Sequence, residues 1–111
     1  MKGNGSLSVI VPAFNEEQRI RPFLQQLLDF KKKNAFVKEI IVVDDGSTDR
    51  TLEVLKEFEG KVRVLSYKPN RGKGEAVKTG ILAARGSLVC FMDADGAAPA
   101  SQLTAMFSAL Q

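Results

Sequence analysis

A chain of 111 residues supports one domain with one hydrophobic core. Its 44% hydrophobic and 26% charged content is ordinary for a globular protein, and its net charge of +3 carries no basic stripe interleaved with aromatics, which argues against nucleic acid as a partner. The absence of histidine excludes His-based triads and His-ligated zinc, and a single cysteine excludes a disulfide framework.

The opening MKGNGS reads as a loose tail over residues 1–6, ahead of one domain over residues 7–111. Leu7 to Val11 (LSVIV) is a short β-branched run that reads as a buried strand ended by Pro12. Pro22 then sits at a first-turn position, and Ile20, Phe23, Leu24, Leu27 and Leu28 recur on one helical face. Lys31, Lys32 and Lys33 close that helix, where cations suit the dipole. Glu39 to Val43 (EIIVV) is a second strand, continuous in apolar residues from Ile40 and so covered on both faces. The loop DDGSTD follows, then a helix carrying Leu52, Val54, Leu55 and Phe58, closed by Gly60. Val62 to Tyr67 is a third strand, and KPNRGKG the next loop. A helix over Ala76 to Ala84 carries Val77, Ile81 and Leu82 and stops at Gly86. Leu88 to Met92 (LVCFM) is a fourth strand, in which Cys90 reads as a buried thiol. A last helix holds Leu103, Met106, Phe107 and Leu110.

Strict alternation of strand and helix implies α/β architecture with a parallel sheet. The commonest order places strand 1 beside strand 4, with strands 2 and 3 on the other side, giving 3-2-1-4 with flanking helices. Ligands in such sheets sit beyond the carboxyl ends of the strands, where the order reverses. Every polar cluster falls at such an end: Pro12 to Glu16, Asp44 to Asp49, Lys68 to Gly74 and Asp93 to Gly96. Those after strands 1, 2 and 4 are expected to converge on one crevice.

Each cluster admits two readings. Asp93 and Asp95 flank Ala94, and two carboxylates share a site readily when Mg²⁺ or Mn²⁺ lies between them and a phosphate; the same residues also make a turn. In Asp44-Asp45-Gly46-Ser47 an acid can take ribose hydroxyls or a base N–H, or serve the backbone as a cap. Arg71-Gly72-Lys73-Gly74 can cradle phosphate, yet it is neither a Walker A loop nor a dinucleotide fingerprint. Pro12-Ala13-Phe14-Asn15-Glu16 offers an aromatic face to a base, or a tight turn.

Taken together, VPAFNEE, VVDDGSTDRT, NRGKGEAVKTGI and CFMDADGAAP resemble, in order and spacing, the family 2 glycosyltransferases of GT-A fold. The stretch NRGKGEAVKTGILAARGSLVCFMDADG is most similar to the polyprenyl-phosphate sugar synthases, including dolichyl-phosphate glucosyl- and mannosyltransferases. The resemblance implies a Rossmann-like donor domain and an inverting, metal-dependent transfer from a UDP- or GDP-sugar to a lipid phosphate. Pro12, Phe14 and Glu16 would line the nucleotide pocket, and Val43 and Asp45 would contact base or ribose. Asp93 and Ala94 would face ribose and diphosphate, Asp95, with Asp93, would hold Mg²⁺ or Mn²⁺, and Lys73 would lie near the pocket floor.

Members of that family continue well past the metal motif, so the chain reads as the donor-binding half, with no catalytic base assigned. A truncated sheet edge leads to the expectation of a homo-oligomer. With no apolar signal core and no run near the ~20 residues of a membrane span, the expected location is the cytoplasm, with at most peripheral contact at a membrane's cytoplasmic face. Two alternatives stay open: a nucleotide-sugar-binding module without turnover, and a phosphoacceptor domain of response-regulator type. The latter places its acids after strands 1 and 3, whereas here they follow strands 2 and 4.

Overall fold

The computed structural model describes residues 5–94. The chain runs β1 (Leu7–Ala13), α1 (Ile20–Lys33), β2 (Val37–Asp45), α2 (Thr51–Leu55), a 3-10 turn (Lys56–Phe58), β3 (Arg63–Tyr67), α3 (Lys73–Ala83) and β4 (Leu88–Phe91). The strands form one parallel sheet in the order β3-β2-β1-β4, as the alternation implied. The expected last helix and Asp95 lie outside the described residues, as do residues 1–4 of the expected tail. Ser6, at the end of that tail, is held: its N–H donates to Ser87 Oγ at 2.9 Å, and its carbonyl accepts the Leu88 N–H at 2.9 Å.

Alternation along β1 divides the core. Leu7, Val9, Val11 and Ala13 face α1, where Ile20, Phe23, Leu24, Leu27 and Phe30 supply the buried stripe. Ile10 points the other way and packs with Ile41, Val43 and Ala76 beneath α3. Both faces are covered, so β1 and β2 read as continuous apolar runs rather than alternating ones. Cys90 lies buried in the α1-side core as a free thiol.

Pro12 does not end β1. The Ile10 carbonyl accepts the Met92 N–H at 2.9 Å, so Ile10, and by alternation Pro12, turns its main chain toward β4. The β1–β4 register stops at Ile10 opposite Phe91, so the donor that proline lacks has no ladder partner to miss. Pro22 is the third residue of α1, still within the first turn, where its absent N–H is harmless.

The face expected for α3 is also corrected. Ala76 and Gly80 are its buried residues, while Ile81 is 49% and Leu82 77% exposed. A Cβ added at Gly80 would lie 2.4 Å from Ile10 Cγ2. The helix sits so close to the sheet that only its smallest residues fit between, and the larger ones flank the contact.

Two boundaries move toward the carboxyl ends of the strands. Strand β2 continues through Asp44 and Asp45, which pair with Ser66 and Tyr67 of β3. Helix α3 starts at Lys73, three residues before the expected Ala76, because its first turn is anchored by a group from β2, described next.

Candidate nucleotide-binding cleft

A cleft of about 230 Å³ opens at the carboxyl ends of the strands. Pro12, Phe14, Glu16, Asp45, Lys73 and Asp93, all singled out in the sequence, line it. Ala13, Asn70, Gly72 and Ala76 complete it. Asn70 and Gly72 come from the loop after β3, whose Lys73 was expected near the pocket floor although the convergence of clusters named only those after strands 1, 2 and 4. Its motif, NRGKG, was the available signal. Val43 and Ala94 do not reach the cleft with their side chains: Val43 is fully buried under α3, and Ala94 is buried in the α1-side core. Only their main chain could meet a ligand.

The cleft walls are built by side chains of the same motifs. Asn15, at a φ of 53° that asparagine tolerates, donates its N–H to Ser47 Oγ, and its Oδ1 accepts the Thr48 N–H at 2.8 Å. The Glu16 N–H donates to Thr51 Oγ1 at 2.8 Å. Asp49 accepts the Thr51 N–H at 2.9 Å; although burial pushes its carboxyl up, its hydrogen bonds outweigh this and hold it below the usual aspartate range. The loop after β1 is thus stapled to the loop after β2, leaving Phe14, 43% exposed, at the rim.

The two acids at the end of β2 divide their work. Asp44 is buried, accepts a hydrogen bond from Ser47 Oγ, and has no partner for Oδ2. Burial, partly offset by Ser47, pushes its carboxyl above the ordinary range. Asp45 spends both oxygens on the loop after β3. Its Oδ1 accepts the Arg71 N–H at 2.9 Å, and Oδ2 accepts the Gly72 N–H at 3.0 Å and Asn70 Nδ2 at 2.7 Å. The Tyr67 hydroxyl lies near Asp45 without a well-formed hydrogen bond; burial first, and then that carboxylate, push it above the ordinary tyrosine range.

Across the cleft Lys73 Nζ meets Asp93 Oδ1 at 2.8 Å and Oδ2 at 3.0 Å, and lies 5.3 Å from the centre of the Phe91 ring. Both charged side chains are about half exposed, 53% and 50%, so this pair is worth no more than ~1 kcal/mol and exchanges readily. Asp93 offers a hard, accessible oxygen donor of the kind Mg²⁺ or Mn²⁺ takes. Among the described residues no three acidic, histidine or cysteine side chains gather around one point. A cation at Asp93 would therefore complete its shell from phosphate oxygens, water and residues beyond Ala94.

The sequence matches the family model "Glycosyl transferase family 2" over residues 8–111. The chain belongs to glycosyl transferase family 2. It is 52% identical to the dolichyl-phosphate beta-glucosyltransferase of Drosophila melanogaster over 101 residues, covering 82% of this chain and 31% of that protein. This family 2 chain spans about a third of the length of the curated relatives it matches. Its fold is similar to that of S. aureus TarS 1-349 in complex with UDP-GlcNAc, at a TM-score of 0.72 and 31% identity over 94% of this chain and 31% of that one. It is similar also to the mannosyltransferase PcManGT from Pyrobaculum calidifontis in complex with GDP-Man and Mn²⁺, at a TM-score of 0.72 and 28% identity over the same shares. The β3-β2-β1-β4 order and family membership remove the phosphoacceptor alternative, whose fold runs 2-1-3-4-5.

Proposed function

We propose that this chain forms the donor-binding part of an inverting, metal-dependent glycosyltransferase that moves a sugar from a UDP- or GDP-sugar to a polyprenyl or dolichyl phosphate. The observation that carries the reading is one cleft in which an aromatic rim and a cation–carboxylate pair lie side by side. Pro12, Phe14 and Glu16 take the nucleoside end, and Lys73 and Asp93 the diphosphate end.

In the transfer, a lipid phosphate oxygen attacks the anomeric carbon from the face opposite the diphosphate, and the bond from that carbon to the diphosphate oxygen breaks. Negative charge collects on the leaving diphosphate. Lys73 is placed to turn from Asp93 to that charge, and Asp93, with Asp95 beyond the described residues, would hold Mg²⁺ or Mn²⁺. The cation, when bound, neutralises the leaving group. The acceptor is already ionised, so it needs positioning more than a base. Support for the lipid acceptor comes from relatives that bear the name dolichyl-phosphate beta-glucosyltransferase, and support for the donor from neighbours solved with UDP-GlcNAc or with GDP-Man and Mn²⁺. We assign contact with the lipid to the cytoplasmic face of a membrane, made peripherally; among the described residues no helix is long and apolar enough to cross a membrane.

A second reading is donor binding without turnover. Calorimetry with UDP- and GDP-sugars, with and without Mg²⁺ or Mn²⁺, tests what the two share. The expected result is saturable binding that needs the cation, and no binding under any combination would sink both. Glycolipid formation on adding polyprenyl phosphate separates them.

A further inference from the structure

Asp44 is the penultimate residue of β2 and shares, by alternation, the α1-side face with Val42. It is 1% exposed, and its Oδ2 has no partner among the described residues. Burying a carboxylate with one oxygen unpartnered costs stability, so packing of the core does not explain the acid. Its other oxygen has a task. Oδ1 accepts the Ser47 hydroxyl, which Gly46, at a φ of 69°, turns back toward it. A serine hydroxyl has one proton. With that proton committed to Asp44, the lone pairs of Ser47 Oγ are left to accept the Asn15 N–H at 2.9 Å, across 32 residues of sequence. Neither Asp44 nor Ser47, itself 4% exposed, lines the cleft. Asn15 stands between Phe14 and Glu16, which both line it. Its φ of 53° is a conformation that residues other than glycine keep only when their surroundings enforce it.

We infer that Asp44 and Ser47 are positioning residues for the nucleoside end of the cleft: the buried carboxylate orients the serine hydroxyl, and the serine oxygen fixes the Asn15 main chain from which Phe14 and Glu16 project. The inference rests on the reading of the cleft as a nucleotide-sugar site. Without Ser47 Oγ the Asn15 N–H loses its acceptor among the described residues, and the turn is held only from its flanks. Those flanks are the Glu16 N–H on Thr51 Oγ1 and the Thr48 N–H on Asn15 Oδ1. The rim then samples other orientations, while Lys73 and Asp93 across the cleft keep their own contact.

The test compares Ser47→Ala with the paired variant Asp44→Val plus Ser47→Ala in the full chain. The readouts are thermal melts and NMR titrations in Mg²⁺ with UDP, GDP and inorganic pyrophosphate. Ser47→Ala takes the hydroxyl donor from a buried carboxylate and is expected to lower stability. The paired variant replaces both partners by apolar groups, which is close to neutral, and is expected to melt near wild type. Both are expected to bind whichever of UDP and GDP the wild-type chain takes about fivefold more weakly, a loss of about one hydrogen bond, with pyrophosphate within about twofold. Amide hydrogen exchange at Asn15 is expected to quicken in both. Should Ser47→Ala fail to fold, the paired variant carries the test alone. Nucleotide affinity that recovers along with stability in the paired variant would make the pair a purely structural one and overturn the inference. Equal loss for nucleotide and pyrophosphate, no loss, or a paired variant that does not fold would overturn it too, and each leaves the donor site standing. If the wild-type chain binds neither UDP nor GDP, the donor site itself is wrong, and the inference falls with it.

Discussion

Glu39 is the acid on which the end of the sheet remote from the cleft depends. Its carboxylate accepts Ser8 Oγ at 2.7 Å, the Arg85 N–H at 2.6 Å and Arg63 Nη1 at 3.0 Å, which ties β1, β2, β3 and the entry to β4 together. Burial pushes the carboxyl up, but the bonds from Ser8, Arg85 and Arg63 outweigh it and leave the group below the ordinary glutamate range. A depressed acid contributes stability that is present above its unfolded value and lost as pH falls through the folded one. Glu39→Gln is therefore expected to destabilise the chain by about 1–3 kcal/mol at neutral pH, with the gap from wild type closing as the solution is acidified. Urea unfolding at several pH values checks this; a gap that does not change with pH would show that the ionised form is not what matters. Asp95, beyond the described residues, carries a separate prediction. Asp95→Ala is expected to abolish cation-dependent nucleotide binding while the fold survives, because on the proposed reading Asp95 would be one of the few protein ligands of the cation. Circular dichroism and calorimetry together decide it, and unchanged affinity for the metal–nucleotide complex in a folded variant would remove Asp95 from the site.

Helix α3 joins stability to function, since its buried face holds it to the sheet and its first residue is Lys73. Contact with β1 runs through Gly80 over Ile10, which is fully buried and cannot yield. Alanine at an exposed helical site would be stabilising by roughly 1 kcal/mol relative to glycine. At Gly80 the added methyl instead overlaps Ile10 and pushes the helix outward, and overpacking of this kind costs about 1–3 kcal/mol. Gly80→Ala is thus expected to lower stability and to weaken nucleotide binding together, as Lys73 retreats with the helix. A thermal melt with a parallel UDP titration tests both, and a variant more stable than wild type would contradict the close packing.

Among the described residues the sheet has one face closed by α1 and α2 and another only partly covered by α3. Val89 and Phe91, paired with Ser8 and Ile10, fall on the α3 side and are 37% and 49% exposed. Among the described residues β4 pairs on one side only. A free edge beside apolar surface recruits a partner. The 111-residue chain is therefore expected to self-associate, and Val89→Lys to weaken that association. Sedimentation showing a monomer at high concentration would contradict it. The same scale governs turnover. Alignment of an acceptor behind the anomeric carbon is worth roughly 7–11 kcal/mol of barrier, and on the proposed reading the cleft among the described residues is assigned to the donor. The isolated chain is expected to bind a UDP- or GDP-sugar yet form no glycolipid over many turnovers. Repeated turnover with polyprenyl phosphate and Mg²⁺ would refute this.

The 3-2-1-4 order of the parallel sheet was read from the commonest arrangement of strictly alternating chains, and the sequence alone determined the alternation of elements and the placement of every polar cluster at a strand's carboxyl end. These follow from local periodicity and from turn residues that act on their immediate neighbours. The stripe of α1 was legible for the same reason, since leucine and phenylalanine at helical spacing have one face to bury. Only the tertiary structure decided what each polar residue does. Asp44 and Asp45 are adjacent and chemically identical, yet one is buried with an unpartnered oxygen and the other holds a loop 25 residues away. Nothing local distinguishes them, because the difference lies in partners that only folding brings near. The face of α3 was misjudged on similar grounds: large apolar residues mark a buried face when helices stand at ordinary distance, but the close approach over Ile10 admits only Ala76 and Gly80. The loop after β3 joined the cleft for the same reason that α3 began early, since a buried carboxylate must be satisfied and the nearest free donors were the N–H groups of Arg71 and Gly72.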